Sequence, residues 1–207
     1  MNSPLLATIL VGTLGLAACD GGPSMAPNPV GPSPMPATAG ARIGTMSMPG
    51  MPLQDEFDYL TEMIPHHEEA IATATVLQQG TQRPEMRRFA NSIIETQTAE
   101  VQQMKRFLAA WYPGRDTYAD YAPMMRDLTG LRTDALDRAF LEDMIPHHMM
   151  AVMMSQRLLV ARLADHDEII PFARNIRDVQ QAEIRMMAGW LTAWFGVAPF
   201  SHGMMQH

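Results

Sequence analysis

The residues best suited to chemistry come as two copies of one pentapeptide. Met63-Ile64-Pro65-His66-His67 recurs as Met144-Ile145-Pro146-His147-His148, five identities in five at an offset of 81. On a helix, Met63 stands three and four residues before the two imidazoles, so a thioether and an imidazole share one face at ligand spacing. Adjacent His residues point about 100° apart, so one can face a core while the other serves a flank or a second ion. Thioether with imidazole selects copper, Cu(I) above all, whereas carboxylate-rich sets suit iron or manganese. Thioethers need no deprotonation and form no disulfides, although they can be oxidised to the sulfoxide. Imidazole ligates only when neutral, so binding should weaken below about pH 6 to 6.5. The cargo read from these residues is therefore copper, Cu(I) preferred, with Ag(I) as a chemical mimic.

The elements that position these groups are duplicated too. Phe89-Ala90, Ile93, Gln97, Ala99-Glu100, Met104, Leu108 and Trp111 return as Phe172-Ala173, Ile176, Gln180, Ala182-Glu183, Met187, Leu191 and Trp194, now at an offset of 83. Self-similarity of this kind marks a repeated structural unit. Each half reads as two helices, over 54–79 and 84–111, then 134–163 and 167–195. Gly80-Thr81 and Pro84 separate the first pair, and Asp165-His166-Asp167-Glu168 offers N-cap chemistry before the fourth helix. Residues 112–132, with Pro113-Gly114, Pro123 and Gly130, are long enough to cross a bundle. No segment sustains strand alternation. The predicted fold is all-α: a ferritin-like four-helix bundle over 53–196, built from two repeated helical hairpins related by a pseudo-twofold axis.

Helical spacing puts Phe57, Leu60, Ile64, His67, Ile71 and Ala74 on one stripe, and Leu141, Ile145, His148, Val152, Ser155 and Leu159 on its counterpart. With Gln97 and Glu100, and Gln180 and Glu183, on the apolar faces of the second and fourth helices, His67 and His148 complete one polar interior layer. A buried carboxylate needs a partner or a cation. The plain reading is a self-satisfied His–Glu network, and the sharper one a metal centre. The neighbouring stripe favours the latter, carrying Met63 and His66 on one helix and Met144, His147 and Met154 on the other. Pro65 and Pro146 either kink their helices, by depriving the carbonyls of Thr61 and Glu142 of an amide donor, or start them. Met149-Met150, Met153-Met154 and Met186-Met187 add thioethers; a Met stripe alone is usually core filler.

The chain ends extend the pattern. Residues 1–18 carry an apolar stretch from Leu5 to Leu16 and then small residues, a secretory signal too short to span a membrane as a mature helix. Leu16-Ala17-Ala18-Cys19 resembles a bacterial lipobox, which implies cleavage before Cys19 and its acylation, although the n-region Asn2-Ser3-Pro4 lacks Lys and Arg. Residues 19–52 form a tether; from 20 to 52 they hold eight Pro and six Gly with Asp20 and Arg42 as the only charges, and include Met46, Met48 and Met51. The tail over 197–207 adds His202, Met204, Met205 and His207 as auxiliary soft ligands, beside Met150 and Met154 in the bundle.

Composition narrows the alternatives. A formal charge of −7 gives no electrostatic invitation to nucleic acid. One Cys excludes a disulfide framework and a Cys-rich zinc site, leaving the 20 Met as the soft donors. The doubled Met-Ile-Pro-His-His motifs, each followed by Gln-x-x-Glu-x-x-x-Met, resemble an exported bacterial family catalogued as a domain of unknown function. That resemblance covers about 53–196 and implies a ferritin-like bundle, copper binding in some members, and metal roles for Met63, His66, His67, Met104, Met144, His147, His148 and Met187. Where many members carry Gln after the His pair, this chain has Glu68 and Met149, so unequal halves are expected.

The leading function is an extracytoplasmic, lipid-anchored copper protein that buffers, sequesters or passes on Cu(I), with room for a copper-transfer partner and for a homo-oligomer. The first alternative is a di-metal oxidoreductase using Glu100 and Glu183 with His and Glu62 or Asp143. It lacks the paired Glu-x-x-His motifs that di-iron bundles use. The second is a metal-free scaffold whose Met-rich faces bind a partner helix.

Overall fold

In a computed structural model, residues 53–197 are described, so the leader, Cys19, the tether and all of the tail beyond Val197 lie outside the described residues. Four helices form: α1 (Glu56–Gly80), α2 (Pro84–Trp111), α3 (Thr133–Val160) and α4 (Ile169–Phe195). Their starts and stops follow local chemistry. The Asp55 carboxylate caps α1 by accepting from the Asp58 amide at 2.8 Å, and α2 opens on Pro84, whose missing amide would have no helical partner. Gly196 closes α4 with φ 65°, taking the left-handed turn that favours glycine.

Two expectations need correction. Helix α3 stops at Val160 rather than 163 and α4 starts at Ile169 rather than 167. The intervening residues serve the other hairpin, since the amides of Asp165 and His166 donate to Glu56, and Glu168 caps α4 without a side-chain hydrogen bond. Helices α1 and α3 also continue through Pro65 and Pro146, so neither helix starts at its proline.

The core is split in two. One apolar cluster joins the C-terminal half of α1, the N-terminal halves of α2 and α3, and the end of α4, through Leu77, Phe89, Phe140, Met144 and Met187. The other joins the opposite ends, through Leu60, Met63, Met104, Leu158 and Ile176. Cluster membership fixes direction: α1 and α4 run one way, α2 and α3 the other. Residues 112–132 must therefore travel the length of the bundle, as their number allows. Helix α1 packs on α2, α3 on α4, and α1 on α3, which makes the α1–α3 contact the seam between the repeats.

Candidate metal centre

Between the two apolar clusters lies the polar layer. His66, His67, His147 and His148 are each no more than 1% exposed. Of the two roles open to the second imidazole of each pair, a flank or a second ion, burial of both members is against the flank. On the neighbouring stripe Met63, His66 and Ala70 are all buried, whereas Ile64 and Ile71 of the His67 stripe are only half-buried. The physical reason is the α1–α3 seam, which buries the residues of α1 that face the second repeat.

Each hairpin supplies one hydrogen-bonded His–Glu arm. His67 Nε2 lies 3.0 Å from Glu100 Oε2, and His148 Nε2 lies 2.8 Å from Glu183 Oε2, so α1 meets α2 and α3 meets α4 in the same way. A neutral imidazole that donates Nε2–H to a carboxylate leaves Nδ1 as its acceptor atom. Nδ1 of His67 and of His148 is buried without a hydrogen-bond partner. At the seam, the rings of His66 and His147 stack with centroids 3.7 Å apart and planes 28° apart. Both nitrogens of both rings are buried without a hydrogen-bond partner. Six imidazole nitrogens without a hydrogen-bond partner thus lie in the layer between the two apolar clusters.

The thioethers flank this layer. Met63 and Met104 sit in one apolar cluster, Met144 and Met187 in the other, all four fully buried. Ten of the residues selected from the sequence thus lie in the polar layer or in the apolar clusters on either side of it: Met63, His66, His67, Glu100 and Met104 of the first repeat, and Met144, His147, His148, Glu183 and Met187 of the second. Of the auxiliary residues, Met154 is buried and Met150 half-buried, both with the Met63 cluster. His202, Met204, Met205, His207 and Cys19 lie outside the described residues.

Sequence reasoning passed over two groups. Glu69 Oε2 lies 3.3 Å from His147 Nε2 across the seam. The same carboxylate accepts from the Tyr121 hydroxyl and from the amides of Met124 and Met125, both at 2.9 Å. Tyr121 also meets His66 edge-on at 6.2 Å, so the crossover strap closes over the imidazole stack. Further along, Arg126 grips Asp143 through Nε at 2.8 Å. The available signal for Glu69 was its place one turn after His66 on the same face.

Burial favours the neutral form of His66, His147 and His148. Burial, with His147 beside it, holds the His66 imidazole well below its ordinary value; burial also lowers His147 and His148, partly offset by Glu69 and Glu183. Burial alone would raise Glu69, but the nearby His147 imidazole, with hydrogen bonds from Tyr121 and the two amides, outweighs it and brings the carboxyl to about 2. Among the described residues, no three His, Cys, Asp or Glu side chains are grouped to hold a metal ion by themselves. The soft donors on either side of the layer are the buried thioethers of Met63, Met104, Met144 and Met187.

Residues 55–191 and 137–207 match the family described as Domain of unknown function (DUF305), the second match starting inside the second repeat. Solved structures of a protein named CopM are similar, in the Cu(I)-bound form at 32% identity, the Cu(II)-bound form at 30% and a silver-bound form at 32%. Each has a TM-score of 0.62 and covers 69% of this chain and 99% of the CopM chain. No curated protein sequence matches the chain.

Proposed function

This chain belongs to the DUF305 family, and on that premise we propose that it is a non-catalytic copper-binding protein of the cell envelope that buffers, sequesters or transfers Cu(I) through thioether and imidazole ligands. The observation that carries the reading is the set of six unpartnered imidazole nitrogens lying between two pairs of buried thioethers. Buried polar atoms without partners are costly, and a soft cation would satisfy them. The CopM structures with Cu(I), Cu(II) and silver support the choice of metal. His66, His67, His147 and His148 would bind through nitrogen, and Met63, Met104, Met144 and Met187 through sulfur. Glu100 and Glu183 would orient His67 and His148, since a carboxylate behind a ligating imidazole fixes its tautomer and raises its basicity.

Export and anchoring belong to the same reading. Residues 1–18 would direct the chain out of the cytoplasm, Cys19 would carry the lipid, and the Met-bearing tether and the His/Met tail would collect ions for the bundle or pass them to a partner. Among the described residues no helix is long and apolar enough to cross a membrane.

The test is to load the chain anaerobically with Cu(I), Cu(II), Fe(II) or Zn(II) and challenge it with a chelator. Retained Cu(I), reduced in the His67→Ala, His148→Ala double variant with helical content kept, is the expected result; unchanged copper stoichiometry would remove these residues from the site. Retained iron with oxygen turnover would instead favour the di-metal oxidoreductase. Of the two further carboxylates open to that reading, Glu62 or Asp143, the second is engaged by Arg126.

A further inference from the structure

The two half-sites are copies in their principal ligands and differ where α1 and α3 pass the stacked rings. At the offset of 81, Glu69 corresponds to Met150 and Thr73 to Met154. Each of these replaces an oxygen function of the first repeat by a thioether in the second. Glu69 faces His147, the imidazole of the opposite repeat. The same register on α3 assigns Met150 to the His66 side, and the packing agrees: Met154 lies within, and Met150 against, the cluster that also holds Met63 and Met104. Among the described residues, His66 alone of the four imidazoles has no carboxylate paired with it.

The spacing at His147 suits an ion. Two donors each about 2.0 to 2.1 Å from one first-row metal lie roughly 3 Å apart when they are neighbours in its coordination shell. His147 Nε2 and Glu69 Oε2 are 3.3 Å apart, and that nitrogen is fully buried without a hydrogen-bond partner.

We propose that the half-sites select different copper ions: Met63, His66 and Met104, extended by Met150 and Met154, take only soft monovalent Cu(I) or Ag(I), whereas Met144, His147 and Met187, with Glu69 as an oxygen donor, also take Cu(II). The reason is ligand softness. Cu(II) favours nitrogen and oxygen donors, and thioethers favour Cu(I). This inference rests on the copper-binding reading above and adds to it Glu69 as a donor and a division of labour between the repeats. A protein so built can accept copper in either oxidation state without an internal redox step.

The full chain is titrated with Ag(I) alone and with Cu(II) alone, bound Cu(II) being counted by its electron paramagnetic resonance signal. Wild type is compared with Glu69→Gln, Met150→Glu and Tyr121→Phe, and because tether and tail are common to all four, differences between them report the bundle. Glu69→Gln is expected to lose one Cu(II) equivalent and no Ag(I). Met150→Glu is expected to gain one Cu(II) equivalent and to weaken Ag(I) binding by about tenfold, the scale on which groups around a metal act. Tyr121→Phe, which loosens the strap but keeps the carboxylate, is expected to bind Cu(II) as wild type does. The proposal is overturned if Glu69→Gln keeps its Cu(II), if Met150→Glu gains none, or if Tyr121→Phe loses the same equivalent. Binding of Ag(I) that depends on the His pairs, with Cu(II) indifferent to Glu69, would remove this inference and leave the copper reading standing; a wild type that binds neither metal would remove both.

Discussion

Burial decides what each imidazole of the layer can do. A His that is forced to stay neutral is ready to ligate, so the weakening of metal binding expected below about pH 6 to 6.5 should move lower for His66, His147 and His148, whose folded values all lie below the ordinary one. The same shift has a consequence for stability. A depressed folded value contributes stability that is present above the unfolded value of 6.5 and is lost as pH falls through the folded value. The urea midpoint of the metal-free protein should therefore fall between pH 7 and pH 5, and the slope should flatten in the His66→Phe, His147→Phe double variant. A midpoint indifferent to pH in wild type would contradict buried neutral imidazoles. At this scale the sequence was legible where residues repeat, because two copies of Met-Ile-Pro-His-His exceed chance. Glu69 occurs opposite a Met in the second copy, and Tyr121 lies in a connection without a counterpart, so repetition could mark neither.

The helices were legible for a different reason. Their apolar spacing and the Gly and Pro breaks are local properties, and α2 ends at Trp111 as read from the sequence. Ranking the faces was harder, since Ile64 and Met63 are both apolar and only the neighbour on each side decides which is buried. The repeats also test what a polar pair between helices contributes. The Tyr59 hydroxyl and Ser155 Oγ are hydrogen-bonded at 3.0 Å in the α1–α3 seam, and both residues are fully buried. At the offset of 81 their counterparts are Phe140 and Ala74, also fully buried. The fold thus accommodates either chemistry at equivalent places. Ser155→Ala alone should cost about 1 to 3 kcal/mol by stranding the Tyr59 hydroxyl, whereas Tyr59→Phe with Ser155→Ala should stay within about 1 kcal/mol of wild type. Urea denaturation of the four proteins gives the coupling, and additive costs would show that the hydrogen bond is not what the pair supplies.

On the scale of the whole molecule, the duplication builds a clasp at each end of the bundle, and each clasp joins one hairpin to the other. At one end Glu56, fully buried, accepts from Tyr112 Oη at 3.0 Å and from the Asp165 and His166 amides at 2.9 Å, and it pairs with His166 Nδ1 at 2.7 Å. Trp111 stacks on that imidazole with centroids 4.1 Å apart. At the other end Asp137 pairs with Arg83 at 3.2 Å, and the guanidinium lies 4.6 Å from the centroid of Trp194. Glu56 and Asp137, His166 and Arg83, and Trp111 and Trp194 are equivalent positions of the two repeats. Removing one partner of such a buried network leaves donors stranded, so Glu56→Ala should cost about 3 kcal/mol. Chemical denaturation with circular dichroism checks this, and a loss under about 1 kcal/mol would mean that the clasp does not hold the hairpins together.

What the sequence by itself determined is whatever depends on neighbours along the chain: four helices, two hairpins, a polar layer of His and Glu, and thioethers in phase with it. Periodicity and repetition carry this information because helical contacts recur every three or four residues. Only the tertiary structure decided that α1 meets α3 with all four imidazoles inside, that His66 stacks on His147, and that Glu69 and the strap of Tyr121 close the seam. Those contacts join residues about 50 to 80 positions apart. They follow from the direction in which the crossover returns the chain, which places two copies of one motif face to face across the α1–α3 seam.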